Sequence, residues 1–157
     1  DHNVALKAMA YKDDRKLEKT ATYEIAYHKI IGMNLIYKEP FSERYPGTGL
    51  HPLNDGLKGS LNYNDGFWQG FNGNNMDVVV EFGQDLNINS ISTTFLLDQK
   101  EWIFVPEKVN YYVSEDGRYF QLIAGITHNI PLNNENDLKN TNNLLKQNSI
   151  RLDEIVN

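Results

Sequence analysis

The chain has 157 residues, 40% of them hydrophobic and 23% charged, with a formal net charge of -6 and no cysteine. Its length suits one domain with a sizeable core, or one domain plus a small appendage, and excludes a second full domain. The composition excludes a disordered or fibrous chain, the acidic balance excludes the clustered Lys and Arg that nucleic acid or an anionic membrane would demand, and the absence of cysteine excludes disulfides and thiolate chemistry.

From the start, "VALKAMAY" and the stretch 20–27 read as two strands. In the second, Ala21, Tyr23, Ile25 and Tyr27 alternate with polar Thr20, Thr22 and Glu24, the period of a half-buried strand. The charged residues Asp13, Asp14, Arg15 and Lys16 lie between them, so residues 1–27 are expected to form a hairpin. A lone hairpin is marginal in water. It must pack on the rest, or belong with a preceding module. The opening "DHNVALKAMAY" has no signal-peptide character and no apolar run approaches the roughly 18 residues of a membrane span. The expectation is a piece of a longer protein whose targeting signal lies elsewhere.

Further strand candidates follow in order: "MNLIY", "DVVVEFG", "SISTTFLL", "KVNYYVS", "YFQLIAGI" and "SIRLDEIV". Each is short and rich in Val, Ile, Phe or Tyr, and Pro-Gly, Asp-Gly and Asn-Gly turn signals separate most of them. In "KVNYYVS", Val109, Tyr111 and Val113 are expected on one side and Asn110, Tyr112 and Ser114 on the other. No segment of ten or more residues keeps a helical stripe, although "NDLKNTNNLLKQ" has room for a turn or two. Short strands without intervening helices predict an all-β sandwich. The Asn-rich residues 133–149 have few apolar anchors and read as a solvated loop.

The chemistry-bearing residues are sparse. His2, His28, His51 and His128 are far apart and match no zinc spacing. The pairs Asp13 with Asp14, Glu115 with Asp116 and Asp153 with Glu154 cannot flank one sugar on a strand, where neighbours point to opposite faces. Asp116 precedes Gly117 and reads as a hairpin turn. No nucleophile elbow or phosphate loop occurs, so an independent active site is not expected.

The stretch "HPLNDGLKGSLNYNDGFWQGF" is the densest in signals. Asp55 offers a carboxylate, Ser60 a hydroxyl, and the glycines let carbonyls turn inward toward a hard cation such as calcium. A pair of turns built on Asn-Asp-Gly accounts for the same residues. The aromatics Phe67, Trp68, Phe71, Trp102 and Phe104 fill a core by default. Trp102, following the charged "DQKE", is the expected exposed platform.

The runs "YPGTGLHPLNDGLKGSLNYNDGFWQGF", "DVVVEFGQDLNINSISTTFL" and "WIFVPEKVNYYVSEDGRYFQLI" together resemble the discoidin (coagulation factor V/VIII type C) domain, in the version at the C-terminus of bacterial chitobiases and other β-N-acetylhexosaminidases. The resemblance covers about residues 29–126, with a terminal strand at "DEIV". Residues 1–28 are similar to the last strands of the small immunoglobulin-like module that precedes this domain in such enzymes. The family's late strand of the type aromatic-Arg-Tyr-hydrophobic-Arg is not recognisable here.

The resemblance implies a jelly-roll β-sandwich of galactose-binding type over residues 29–157, after an upstream hairpin remnant at 1–28. It implies a non-catalytic carbohydrate-binding domain of an exported chitobiase or β-hexosaminidase, binding glycan through loops at one end. Its partners would be that glycan and the catalytic domain of the same polypeptide. It also implies structural calcium held by Asp55, Ser60 and Glu154, and a largely buried Trp68. The sugar-contacting positions vary in the family; Arg44, Trp102 and His128 are the candidates. The alternative is a domain that only braces the catalytic domain. Adhesion to protein or membrane through Trp102, Ile103 and Phe104 is a third reading, which the acidic balance disfavours for an anionic membrane.

Overall fold

Strands β1 (Val4–Lys12) and β2 (Arg15–Ile25) form the expected antiparallel hairpin. Its tip residues Asp13 and Asp14 have φ of 49° and 61°, the paired left-handed conformations of a type I′ turn, whose twist matches that of the strands. Val4 faces Ile25, Leu6 faces Tyr23 and Ala8 faces Ala21, so one face is apolar over these three pairs. Ala5 with Glu24 and Lys7 with Thr22 share the other. The base of the hairpin is tied down where Ala26 N donates to Gly56 O at 2.8 Å and where the Tyr23 ring meets Phe67 edge-on at 5.9 Å.

The computed structural model describes residues 3–48, 51–130 and 144–151. The chain divides into two compact units, Asp1–Gln84 and Asp85–Asn157. In the first, β3 (Asn34–Tyr37) pairs antiparallel with β4 (Val78–Glu81). Asn34 Nδ2 donates to Glu81 Oε2 at 2.6 Å, and Lys38 N to Asp77 O at 2.9 Å carries the ladder one step further. The described residues between these strands contain a single 3₁₀ turn, Tyr63–Asp65, capped by the Asn62 side chain and closed by Gly66 at φ 86°. A left-handed closing residue is what glycine supplies without steric cost.

In the second unit, β5 (Ser90–Leu97) pairs with β8 (Leu144–Arg151), and β6 (Lys108–Val113) with β7 (Gln121–Thr127), both antiparallel. Leu96, Leu97 and Tyr111 are its buried apolar side chains among the described residues. The Tyr111 hydroxyl shares a 2.7 Å hydrogen bond with Thr93 Oγ1, which satisfies the polar end of an otherwise apolar ring. Tyr111 pairs with Ala124 and Tyr112 with Leu122, leaving Ile123 as the extra residue of a β-bulge.

The fold is therefore all-β: every pairing is antiparallel, and the helical content of the described residues is two single 3₁₀ turns. The strands β3 to β6 fall inside the segments read from the sequence, and β7 overruns its segment by one residue, Thr127. The Asn-rich region is a correction. Its residues from Leu144 onward are a strand rather than a solvated loop or a helical turn, with Leu144 opposite Leu97 and Arg151 opposite Ser90. Composition underrates such a segment, because an eight-residue ladder on β5 satisfies its backbone donors and acceptors whatever its side chains are. Residues 131–143 lie outside the described residues.

Candidate functional site

The clearest candidate lies in the second unit, in the loop that follows β5. Asp98 and Ile103 exchange two backbone hydrogen bonds, Asp98 N to Ile103 O at 3.0 Å and Ile103 N to Asp98 O at 2.9 Å. They close a tight loop holding the second 3₁₀ turn, Gln99–Glu101. That turn ends on Trp102, which sits in the left-handed region at φ 58° and ψ 33°, its N–H donating to Gln99 O. A bulky residue there costs of order 1–2 kcal/mol. The indole is 81% exposed. Its ring meets that of Phe104 edge-on, with centroids 6.3 Å apart.

Phe104 also lines a concavity of about 560 Å³, together with Leu97, Gln99, Val105, Glu107, His128, Asn129 and Ile130. That volume falls in the range of small-ligand sites, roughly 300–1,000 Å³. The wall is apolar at Leu97, Phe104, Val105 and Ile130, with polar groups from Gln99, Glu107, His128 and Asn129 converging on it. His128 is buried; its Nδ1 lies 2.6 Å from Pro106 O, and its backbone N donates to Glu107 O at 2.8 Å. A carbonyl only accepts, so Nδ1 carries the proton in that bond and the ring orientation is fixed. Phe95 meets the same ring edge-on at 6.3 Å.

Two of the residues singled out in the sequence therefore come together: His128 lines the concavity, and Trp102 flanks Phe104 at its wall. Arg44 does not join them within one unit. It belongs to the first, where its guanidinium lies 5.4 Å from the Tyr45 ring centroid. Gln99, Glu107 and Asn129 carry no motif. The one signal in reach is Pro106 between two strand patterns, which marks a loop without saying what that loop faces.

In the first unit, the Asn-Asp-Gly stretch is held by its own side chains. Asp55 Oδ1 accepts from Leu57 N at 2.8 Å and Oδ2 from Thr48 Oγ1 at 3.2 Å. Ser60 N donates to Asp65 Oδ2, Ser60 Oγ accepts from Asn62 N at 3.1 Å, and Ser60 O accepts from Trp68 Nε1 at 2.9 Å. No hydrogen bond joins Asp55 to Ser60 among the described residues, nor do three acidic or His side chains cluster there. Glu154 lies outside the described residues. The Asp55 carboxylate and the Ser60 hydroxyl are nonetheless oxygen donors of the kind a hard cation takes, and Asn54 Oδ1, on the residue before Asp55, is buried without a partner among the described residues. Trp68 is half-buried, its indole packed so closely on Gly59 that a Cβ there would collide with the ring.

His28 stands near this loop. Burial lowers its pKa below the ordinary 6.5, against the opposing pull of the Asp55 charge. Its Nδ1 is buried without a hydrogen-bond partner among the described residues. Since the folded pKa lies below the unfolded one, the unfolded chain binds more protons as pH drops under 6.5. The stabilisation is thus complete above that value and is lost as pH falls through the folded pKa. Thermal melts across this range are expected to show an acid-side loss of stability that is smaller in His28→Gln.

No family model matches the chain, and no curated protein matches it.

Proposed function

We propose that the chain is a non-catalytic carbohydrate-binding module, with the Trp102 loop and the concavity beside it as the glycan site. The observation that carries this reading is the conformation of Trp102. The largest side chain available is held 81% exposed, in a left-handed backbone conformation, on a loop clamped by paired backbone bonds. Strain kept at an exposed aromatic is the mark of a position selected for contact rather than for stability. An indole face takes the apolar face of a pyranose, and Gln99, Glu107 and Asn129 offer hydrogen bonds to its hydroxyls. Stacking and hydrogen bonding need no bond chemistry, and none is assigned to the chain.

This reading accords with a discoidin-like domain of jelly-roll type attached to an exported chitobiase or β-hexosaminidase, with residues 1–28 belonging to a preceding immunoglobulin-like module. A domain that merely braces a catalytic partner has no use for a strained, solvent-facing Trp, which ranks that alternative second. Titration calorimetry with N-acetylglucosamine and galactose oligosaccharides tests the proposal. Saturable heat supports it; no heat with either series at high sugar concentration refutes it.

The same reading places structural calcium at the Asp55 loop, with Ser60 as a second ligand. Calcium is then expected to raise the melting temperature, by the equivalent of roughly 2.7 kcal/mol at a hundredfold excess over Kd. Asp55→Ala should abolish the calcium-dependent shift in scanning calorimetry. A shift that survives in the variant would remove Asp55 from the metal site.

A further inference from the structure

The chain contains four places where Asn or Asp precedes Gly: Asp55 with Gly56, Asp65 with Gly66, Asn72 with Gly73, and Asp116 with Gly117. Each is a potential site of succinimide chemistry, in which the glycine backbone nitrogen attacks the preceding side-chain carbonyl carbon. The reaction needs a nucleophilic N–H that can reach the carbon and a side chain able to swing toward it. Hydrogen bonds to either group hold the reactants apart.

The aspartates are held in this way. Both oxygens of Asp55 accept hydrogen bonds, and Gly56 is crowded by Ile25 Cγ2 and Ala26 O, at 2.8 and 2.9 Å from where a Cβ would stand. Both oxygens of Asp65 are occupied, by Ser60 N and Phe67 N. Asp116 Oδ1 accepts from Ser114 Oγ, Arg118 N and Tyr119 N, and Gly117 N is itself engaged by Ser114 Oγ at 2.9 Å. Asn72 and Gly73 differ on every point. Both are exposed, Gly73 has φ of 77° with nothing within 4 Å of a Cβ position, and neither the Asn72 carboxamide nor the Gly73 N–H makes a hydrogen bond among the described residues.

We propose that Asn72 is a site of spontaneous covalent modification, the one Asx-Gly pair that the fold leaves reactive. Gly73 N loses its proton and bonds to Asn72 Cγ, the Cγ–Nδ2 bond breaks, and ammonia leaves, closing a five-membered succinimide. One water then opens the ring at either carbonyl, giving aspartate or isoaspartate at position 72. The sum is one water consumed and one ammonia released, with no oxidant or cofactor. The product adds a negative charge to a chain already at -6. In the isoaspartyl form it also inserts a backbone methylene into a turn fastened by Asn74 Nδ2 on Pro40 O at 3.1 Å and by Lys38 N on Asp77 O at 2.9 Å.

The test incubates the intact folded chain, and the same chain in denaturant, at mildly alkaline pH. Peptide mass spectrometry with isoaspartate detection then follows each pair separately. The expected result is that Asn72 gains the mass of an amide-to-acid exchange at comparable rates in both conditions, that Asp55, Asp65 and Asp116 isomerise far more slowly folded than unfolded, and that Asn72→Gln eliminates the mass gain. An Asn72 that stays an amide in the folded chain while converting in denaturant overturns the proposal. So does isoaspartate at the three aspartates with no protection by folding.

Discussion

Trp102→Ala weakens glycan binding by about 2 kcal/mol, roughly thirtyfold in Kd, the expected loss when one large aromatic contact is truncated. The indole is 81% exposed and contributes almost nothing to the packed interior, so the melting temperature should stay near that of the parent. Trp102→Gly sharpens the test, because glycine adopts φ 58° freely. It should lose the same affinity while gaining about 1 kcal/mol of stability, a rise of some 5 °C for a unit of this size. Calorimetric titration and thermal melting of the two variants separate the ligand contact from the strain. If Trp102→Ala binds as tightly as the parent, the platform reading is wrong.

Asn54→Leu destabilises the first unit by roughly 2 kcal/mol, because the part-buried Met33 carbonyl loses the amide donor and the Ile30 carbonyl keeps only Met33 N. Asn54 is 1% exposed, and its Nδ2 donates to Ile30 O at 2.7 Å and Met33 O at 2.9 Å. The Asn54 backbone carbonyl accepts from Gly32 N at 3.2 Å. This one side chain, with the Ala26 to Gly56 bond, clips the Asn-Asp-Gly loop to the turn after β2. Leucine matches its volume but offers no proton. Urea denaturation should show a lower midpoint, and melting should fall by about 10 °C or more. A loss below about 0.5 kcal/mol would mean that water reaches both carbonyls and replaces the amide.

Local signals carried most of the strand pattern. The β5 segment "SISTTFLL" is exposed or half-buried up to Phe95 and buried at Leu96 and Leu97, and its apolar, β-branched run is sufficient to mark it. The hairpin tip at Asp13 and Asp14, the Asp-Gly turn at Asp116 and the cap at Asn62 are likewise decided within a few residues. The Asn-Asp-Gly stretch had two local readings, turns and cation loop. Its hydrogen bonds realise the turns, with Asp55 and Asp65 each capping backbone N–H groups a few residues away, while the cation stays a proposal.

What stayed hidden required a distant partner. The strand at Leu144 depends on a ladder to residues some fifty positions earlier, and its Asn-rich composition offers no cue that such a ladder exists. The concavity joins residues from the ends of β5 and β7 and from the loop before β6, so Gln99, Glu107 and Asn129 become a group only after those chains are set beside one another.

The amino-acid sequence by itself determined the class of this protein: alternating apolar and β-branched runs bounded by Gly, Asn and Asp dictate strands and tight turns, because those preferences act over a few bonds. It also determined that Trp102 follows a charged loop. Only the tertiary structure decided that the Asp98 and Ile103 backbones pair, forcing Trp102 into the left-handed region and out into solvent. It also decided that Asn54 lies buried as a clip, and that Asn72 alone among the Asx-Gly pairs escapes hydrogen bonding among the described residues. Each of these turns on which donor meets which acceptor across the fold, and that information resides in pairings between segments rather than in any one of them.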